Sequence, residues 1–558
     1  MPRERAVAFV VARLSSERLP EKQLRTVGAV PILTRIIETL RTCRELDETV
    51  IATVSEPENL KLARYAEETG TPLFWYEGAV NDVTTRLKCA GEKFGAEICL
   101  LISADCPLVH APSVDELIAR MRREPGADAL YPGPDAEGRH CLMEGVQIAR
   151  LKAWRRADEL SDRPELKEHQ FPVIYRNPGL FNLVYVGLSA PVYGARHRMS
   201  VDTWADLEFM ETLYARLTAA GRPFDLPNAV WLLTAHPEVK ELNAHVHQRA
   251  LVEDIKKVLV ICDAGGEWGY GHFTRMRELS GQITERLSWP VTFLMDDERA
   301  ARMAGDCGFR TLWGALGRET RTPPEGVAVT GAVEAANGRD LVAVDISARR
   351  SPPPGWRSAF PEGAAVAVID RADAFAKEAD LAVFPGVAGR EASEGVNTAG
   401  GADLVIMRRE VRRYADAGIA KDIDVLSYLP GETERRELEK ACAEEGLIHA
   451  SPSGFAEDFP LLLARSRVFV SGYGQSFYEA LHLKAVPVCW PLSPLHRADA
   501  QAFYAAFGLA PLVVDGPGEW TKALSAALAV SSQDFTRPVD GTPRIVEILA
   551  GLMIRRGE

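Results

Sequence analysis

Basic and hydroxyl side chains are concentrated in a short loop after the first apolar stretch of the chain. The stretch AVAFVV ends at residue 11. The residues of interest that follow it are Ala12, Arg13, Ser15, Ser16, Arg18 and Lys22. The oxygens of a triphosphate need backbone N–H groups and cationic side chains, and such a loop offers both. The pattern favours a phosphate-binding loop, with a solvated charged loop as the alternative.

Two aspartates stand where they could face that loop. Asp105 follows the apolar stretch ICLLIS, and Asp202 lies in a segment that begins at Arg198. Alternating apolar stretches and amphipathic helices predict a parallel sheet, in which ligands lie at the carboxyl ends of the strands. Each aspartate alone is plausible as a strand-end cap, but the pair opposite a basic loop favours a site.

These segments resemble the cytidylyltransferases that make CMP-activated acidic sugars, including the spore-coat polysaccharide group. The likeness covers roughly residues 5 to 215 in order and spacing. The segments that carry it are residues 12–24, Asp82-Val83 with Arg86, Asp105-Cys106-Pro107-Leu108, Glu168-His169, Asn177-Pro178, residues 198–203 and residues 206–208.

The resemblance implies CTP and a sugar acid as substrates. Asp105 and Asp202 would hold Mg²⁺, a hard cation that a few carboxylates and phosphates suit. Arg18 and Lys22 would be catalytic, because nucleotidyl transfer needs mainly positioning and charge neutralisation. The implied CTP-binding residues are Ala12, Arg13, Ser15, Ser16, Arg18, Lys22, Asp82 and Arg86. A homodimer through this domain is a further expectation.

Five positions depart from the family pattern. Ser15 and Glu21 replace glycines of the loop, Leu101 replaces an arginine, and Gly145 and Gln147 occupy a segment that is usually Asp-x-Glu. A side chain at Ser15 would crowd a backbone approaching the triphosphate. Either the acceptor differs from the common acids, or the domain has become a nucleotide-binding scaffold.

A glycine turn carrying a histidine begins the second half of the chain. The strand-like stretch KVLVICD is followed by Gly269, Gly271, His272 and Arg275, with a spacing that does not fit the dinucleotide fingerprint. A histidine in the first helical turn at a strand end is suited to act as a general base. The alternative is a surface residue at a helix start.

The segment Gly-x-Gly-His-x-x-Arg resembles the UDP-sugar hydrolase of pseudaminic acid biosynthesis. The likeness covers about residues 257 to 515, with Asp345 and Arg408 at plausible cleft positions. It implies that His272 activates water to cleave a UDP-amino sugar. A glycosyltransferase would use the same cleft, so that alternative stays open. The implied UDP-binding residues are Gly271, Arg275, Gly472, Gly474, Gln475, Ser476 and Glu479.

The order of elements predicts an α/β protein of several domains. An N-terminal doubly wound, GT-A-like nucleotidyltransferase sheet is expected, followed by a two-lobed GT-B-like α/β unit. The predicted parts are a cytidylyltransferase-like domain at 1–235, a connector at 236–256 and two lobes at 257–410 and 411–558.

Charge, apolar runs and cysteine spacing indicate which binding partners and which cellular location to expect. A formal net charge of -13 argues against broad docking onto nucleic acid. No apolar run approaches the ~18 residues of a membrane span. The nine cysteines include no Cys-x-x-Cys pair, which favours reduced thiols and a cytoplasmic protein.

Overall fold

The computed structural model describes residues 3–16, 18–133, 139–161, 167, 171–188, 193–194, 197–248, 255–350, 354–371, 373–387, 394–452, 456, 458–531 and 534–557. The chain divides into two compact units. Unit 1 comprises Met1–Asp254 with Glu285–Ser288, and unit 2 comprises Ile255–Thr284 with Trp289–Glu558. The finer boundaries at residues 235, 256 and 410 stay predictions.

Unit 1 is built around a seven-stranded sheet in the order β10-β7-β9-β6-β1-β4-β5. Only β9 among these strands runs antiparallel to its neighbours, β6 and β7. Two short antiparallel strand pairs, β2-β3 and β8-β11, lie outside the sheet. The strands are β1 (Ala6–Val11), β2 (Thr26–Val27), β3 (Val30–Pro31), β4 (Glu48–Val54), β5 (Leu73–Tyr76), β6 (Ile98–Ser103), β7 (Ala129–Pro132), β8 (His140–Cys141), β9 (Val146–Arg150), β10 (Leu183–Val186) and β11 (Tyr193–Gly194).

Helices cover both faces of this sheet, and β1 shows why. Its side chains alternate between two cores, with Ala8 and Val10 in one and Val7 and Phe9 in the other. The helices are α1 (Ile32–Arg41), α2 (Leu60–Thr69), α3 (Val83–Lys93), α4 (Ala111–Arg123), α5 (Leu151–Leu160), α6 (Phe171–Tyr175), α7 (Trp204–Ala219) and α8 (Leu226–Ala235). Short 3-10 turns are formed by Lys22–Leu24, Pro57–Asn59 and Pro237–Leu242.

Unit 2 contains two parallel sheets. The first has the order β14-β13-β12-β15-β16-β17-β18, so the chain reverses its direction of growth between β12 and β15. The second has the order β20-β19-β21-β22 and reverses between β19 and β21. The strands are β12 (Val258–Cys262), β13 (Val291–Met295), β14 (Arg310–Trp313), β15 (Leu341–Asp345), β16 (Ala365–Ile369), β17 (Leu381–Phe384), β18 (Thr398–Gly400), β19 (Ile423–Tyr428), β20 (His449–Ala450), β21 (Ser466–Ser471) and β22 (Val486–Cys489).

Helices or 3-10 turns lie between most consecutive parallel strands of unit 2, which are joined by crossover connections. The helices are α9 (Gly271–Leu287), α10 (Glu298–Asp306), α11 (Ala332–Ala336), α12 (Arg409–Tyr414), α13 (Glu432–Glu444), α14 (Phe459–Arg465), α15 (Gln475–His482), α16 (Pro494–Phe507), α17 (Trp520–Ala529) and α18 (Thr542–Gly557). Further 3-10 turns are formed by Gly266–Trp268, Trp356–Ala359, Ala374–Glu378 and Pro517–Glu519.

The α/β class predicted from the sequence is confirmed in both units. Unit 1 also has a reversal point, between β1 and β6, and the basic loop follows β1 while Asp105 follows β6. Such reversal points open a crevice at the carboxyl ends of the strands, where ligands bind in open α/β sheets. The GT-B-like character of unit 2 stays a prediction. Among the described residues, no helix combines the length and apolarity needed to cross a membrane.

Candidate functional sites

The basic loop of unit 1 closes on itself directly after β1. The backbone N–H of Glu21 donates to the carbonyl of Leu14 at 3.1 Å. The backbone N–H of Leu14 donates to Asn59 Oδ1 at 2.8 Å, and Asn59 is fully buried. Because both ends of the loop are anchored, the side chains between them are presented at the reversal point of the sheet.

Glu21, which stands where the family has glycine, adopts a left-handed backbone conformation with φ 53°. A residue with a Cβ atom in that region costs roughly 1–2 kcal/mol. The carboxylate of Glu21 forms an ion pair with the exposed Lys61 at 2.5 Å. The departure from glycine therefore preserves the turn.

The two serines of the loop are engaged within the protein. Ser15 Oγ donates to Glu56 Oε2 at 3.2 Å, and Ser16 Oγ accepts from the backbone N–H of Leu19 at 3.4 Å. Ala12 is buried beside them. The predicted contacts of these three residues with CTP stay predictions.

Lys22 joins the two predicted metal-binding aspartates. Its Nζ donates to Asp105 Oδ2, and to Asp202 Oδ1 at 2.5 Å. Only about a tenth of the Lys22 side chain is exposed. These residues are 83 and 180 positions apart in the chain, and the fold brings all three to one point.

Two arginines complete the surroundings of Asp202. Arg18 Nη2 lies 3.2 Å from Asp202 Oδ2, and Arg198 Nη2 donates to the same oxygen. Arg198 is fixed in turn by Asp206, whose Oδ1 accepts from Arg198 Nε at 3.0 Å. Asp206 also belongs to the capping box of α7 with Thr203, which holds this segment at the helix start.

The charges of this cluster stabilise one another. Burial alone would lower the pKa of Lys22, but the carboxylates of Asp105 and Asp202 outweigh it and raise that pKa above its usual value. Burial would raise the pKa of Asp202, but Lys22, Arg18 and Arg198 hold it far below its usual range. Both groups are therefore charged at neutral pH.

The arrangement fits a magnesium ion by its donor chemistry. Asp105 and Asp202 contact the same ammonium group, so their oxygens lie within reach of one cation position. Mg²⁺ is typically held by one or two carboxylates together with substrate phosphates. The described residues contain no group of three or more His, Cys, Asp or Glu side chains arranged for a metal, so phosphate oxygens would have to supply ligands.

The other predicted CTP-binding residues lie at the start of α3 and on the loop. Asp82 caps α3 by accepting from the backbone N–H of Thr85 at 3.1 Å. Arg86 is almost completely buried and donates to the carbonyl of Val80, and burial lowers its pKa to about 10. Arg13 Nη1 donates to Asn81 Oδ1. The structure places these side chains in supporting contacts, and their contact with CTP stays a prediction.

Sequence reasoning assigned no role to Glu144, which lies beside the carboxylate pair. Glu144 Oε2 accepts from the backbone N–H of Met199 at 3.0 Å, and burial raises the pKa of Glu144. The neighbouring Gly145 has φ 71°, and a Cβ atom there would lie 2.6 Å from Cys106 Sγ. A residue with a side chain at position 145 would therefore be strained in this backbone conformation.

Comparison with known proteins concerns the same part of the chain. The family model described as cytidylyltransferase matches residues 7–218. Unit 1 contains a cytidylyltransferase-family domain. An uncharacterized protein of Methanocaldococcus jannaschii is 27% identical over 44% of this chain and 98% of its own length.

Two further relatives have names that state a biosynthetic process or an enzyme activity. The spore coat polysaccharide biosynthesis protein SpsF of Bacillus subtilis is 24% identical over 42% of this chain and 95% of its own length. A 3-deoxy-manno-octulosonate cytidylyltransferase of Geobacter sulfurreducens is 27% identical over 21% of this chain and 46% of its own length.

Unit 2 has its own polar cluster at the reversal point between β12 and β15. His272 lies in the first turn of α9, and its Nδ1 is 2.7 Å from Oδ1 of Asp345, the last residue of β15. Gly271 begins the helix, which brings the imidazole to the sheet edge. The structure therefore joins the predicted general base to a buried carboxylate.

Arg275 ties this pair to the next strand. Its Nε and Nη2 each lie 2.8 Å from an oxygen of Asp345, and its Nη1 lies 2.6 Å from Asp370 Oδ2. Asp345 has no exposed side-chain surface, whereas the side chain of Asp370 is 48% exposed. Arg275 was predicted to bind UDP, but here all of its guanidinium nitrogens have protein partners, so a UDP contact stays a prediction.

The glycine turn of the second sheet follows β21. Gly474 precedes α15, and Gly472 is packed against Leu492. Gln475 Nε2 donates to the carbonyl of Ile406 at 3.1 Å. These residues and Ser476 lie beside the reversal between β19 and β21, where a diphosphate would be expected. Their UDP contacts stay predictions.

Glu479 has a partner that the sequence did not indicate. Arg408 Nε donates to Glu479 Oε1 at 2.8 Å, and Arg408 Nη2 donates to Oε2. The Glu479 side chain is 1% exposed. Contact of this carboxylate with UDP would require the ion pair to open, so the UDP-binding role of Glu479 stays a prediction.

Replacing Glu479 with glutamine is expected to destabilise unit 2 by about 3–5 kcal/mol, because a buried Arg408 would keep its charge without a counter-ion. Chemical denaturation followed by hydrogen exchange of unit 2 peptides measures the loss. Glu432→Gln is the matched control, since that glutamate forms an exposed pair with Arg436. Equal stability of the two variants would contradict a structural role for the buried pair.

Proposed function

We propose that unit 1 transfers CMP from CTP to a sugar acid. An oxygen of a sugar hydroxyl bonds to the α-phosphorus as the bond to pyrophosphate breaks, and the hydroxyl proton passes to solvent. The observation that carries the proposal is the meeting of Asp105 and Asp202 beside the basic loop. The cytidylyltransferase name of the Geobacter relative supports the acceptor class.

Asp105 and Asp202 would hold Mg²⁺, which when bound neutralises charge on the triphosphate. Arg18 has one buried guanidinium nitrogen, Nη1, with no hydrogen-bond partner among the described residues. A phosphate oxygen is the partner that this N–H suits. Lys22 supplies a second cation in the same place.

The test is an assay of pyrophosphate release by the full chain with CTP, Mg²⁺ and a panel of sugar acids. Release with at least one acid is expected. CTP binding without release from any acid would favour the alternative of a nucleotide-binding scaffold, which the departures at Ser15, Glu21 and Gly145 suggest.

Replacing Lys22 with methionine is expected to tighten the binding of Mn²⁺, a probe for Mg²⁺, by about tenfold or more in the absence of nucleotide. The reason is that the ammonium of Lys22 competes with a cation for Asp105 and Asp202. Electron paramagnetic resonance of free Mn²⁺ gives the affinity. Lys61→Met removes an exposed lysine and should leave it unchanged. An equal Mn²⁺ affinity of wild type and Lys22→Met would show that Lys22 does not compete.

We also propose that unit 2 hydrolyses a UDP-amino sugar. The observation that favours this is the His272–Asp345 pair at a reversal point of a parallel sheet. Water would lose a proton to His272 as its oxygen bonds to the sugar carbon, and UDP would leave. A GT-B-like glycosyltransferase with a different acceptor is the alternative.

Incubation of the full chain with UDP-amino sugars in ¹⁸O-labelled water separates these two activities. A hydrolase places the label in the free sugar, or in UDP if the phosphorus is attacked. A transferase releases UDP only when an acceptor is added. Both proposed activities use nucleotide substrates, which favours a cytoplasmic location. A homodimer formed through unit 1 stays a prediction.

A further inference from the structure

The contacts of Asp345 single it out among the carboxylates at the edge of the first sheet of unit 2. Its Oδ1 is 2.7 Å from His272 Nδ1 and 2.8 Å from Arg275 Nη2, and its Oδ2 is 2.8 Å from Arg275 Nε. Asp345 ends β15 and has no exposed side-chain surface. It therefore cannot touch a substrate directly and would act through His272.

We propose that Asp345 is a positioning residue, which holds the proton of neutral His272 on Nδ1 and leaves Nε2 as the base. This inference rests on the proposed hydrolysis by unit 2. A neutral imidazole carries one proton, and its site is set by the hydrogen bond that the other nitrogen makes. An ionised carboxylate only accepts hydrogen bonds, so Nδ1 must be the donor to Asp345.

Asp345 remains ionised although it is buried. Burial would raise its pKa, but Arg275 and His272 outweigh that effect and hold the pKa below its usual value. Arg275 itself is shared with the exposed carboxylate of Asp370. The buried charge is thus paired, as a carboxylate without solvent requires.

The opposite end of the imidazole is available for a proton. His272 Nε2 has no hydrogen-bond partner among the described residues, and 21% of the side chain is exposed. When Nε2 takes the proton of water, the ring becomes a positively charged imidazolium. The negative charge of Asp345 lies 2.7 Å from its Nδ1 and stabilises it. The carboxylate would favour that charged state and fix the ring against rotation.

Arg275 is a competing hydrogen-bond partner for Nδ1 of His272. Its Nη2 is also 3.3 Å from His272 Nδ1 and could donate to that nitrogen if Nδ1 carried no proton. With Asp345 in place, Nη2 has the shorter bond to Oδ1, at 2.8 Å. Without the charge of Asp345, Arg275 would become the donor to Nδ1, and the proton would move to Nε2.

The experiment compares the full chain with Asp345→Asn and Asp370→Asn. Both substitutions remove one negative charge from Arg275, but only the first changes the partner of His272. The protein is labelled with ¹³C in its histidine rings, and the signal of His272 is identified by its absence in His272→Asn. The ring carbon shifts then report which nitrogen carries the proton.

We expect the Nδ1–H form in wild type and in Asp370→Asn, and the Nε2–H form in Asp345→Asn. An Nε2–H form in wild type would overturn the inference, and so would an Asp345→Asn variant that keeps Nδ1–H. The wild-type measurement decides the question even if Asp345→Asn does not fold. If wild type has Nδ1–H, Asp345→Asn changes it and no UDP-sugar is turned over, the positioning stands and the proposed hydrolysis fails.

In turnover, Asp345→Asn should lower kcat by about 10²-fold or more and leave KM nearly unchanged, because the base is in the wrong protonation form. A purely structural role would instead change KM, stability and kcat together. A kcat equal to that of wild type, with the tautomer changed, would overturn the catalytic consequence of the positioning.

Discussion

Asp202→Asn is expected to lower pyrophosphate release from CTP by about 10³-fold or more, since a metal that neutralises triphosphate charge is worth several kcal/mol in such reactions. The variant loses one of the two carboxylates that meet at Lys22. Asp105→Asn removes the other and should have a similar effect. The measurement is the rate of pyrophosphate release with the most productive sugar acid.

The binding of CTP separates a metal role from simple unfolding. Arg18, Lys22 and Arg198 all surround Asp202, and its replacement removes one of the carboxylates that offset their positive charge near the triphosphate. Without metal, Asp202→Asn should therefore bind CTP at least as tightly as wild type. Calorimetry in the presence of a chelator measures this, and a variant that binds no CTP has lost more than a metal ligand.

Asp115→Asn serves as the control for charge. Asp115 is a carboxylate of α4 that accepts from the backbone N–H groups of Arg44 and Glu45, at 3.0 and 2.8 Å. Its replacement should leave pyrophosphate release unchanged. Full activity of both Asp105→Asn and Asp202→Asn with every productive acid would contradict the metal assignment.

Much of the unit 1 site could be predicted because it depends on local sequence. Buried strands need continuous apolar stretches, so β1 and β6 could be placed, and the loops after them had to lie at one edge of a parallel sheet. The contact of Lys22 with both aspartates could not be predicted. It depends on residues up to 180 positions away, and residue types alone do not fix such distances.

The buried ion pair between Arg408 and Glu479 in unit 2 could not be predicted from the sequence. The resemblance implied a UDP contact for Glu479 and a cleft position for Arg408, but gave no sign that the two residues, 71 positions apart, pair with each other. Their ion pair forms only in the folded unit, so residue types alone do not reveal it. By contrast, Asp345 ends β15 and His272 lies in the first turn of α9, the helix that follows β12, so the parallel topology brings both to the same edge of the sheet.

The departures from the family pattern at positions 21 and 145 also could not be interpreted fully from the sequence. The departures at Glu21 and Gly145 suggested a weakened site, yet the local backbone conformation accommodates each residue. Glu21 keeps the left-handed turn with φ 53°, and Gly145 avoids a contact with Cys106. Backbone conformation is invisible in residue types, so these substitutions argue less strongly for a scaffold than the sequence alone suggested.

His272→Asn should lower the turnover of the productive UDP-sugar by about 10²–10⁴-fold, the range that a general base contributes. Asparagine retains a polar side chain at the start of α9 but offers no basic nitrogen. Because the glycine turn after β21 is expected to hold the diphosphate, UDP affinity should stay nearly unchanged. Steady-state kinetics and calorimetry with UDP measure the two quantities separately.

His482→Asn is the matched control within unit 2. His482 Nδ1 bonds to the carbonyl of Pro538 at 2.8 Å, so this histidine makes a structural contact with the backbone. Its replacement should leave turnover within the range of wild type. A loss of UDP binding in His272→Asn with turnover intact would instead make His272 a contact of the diphosphate. Because Nδ1 of His272 is engaged by Asp345, only Nε2 can serve as the base.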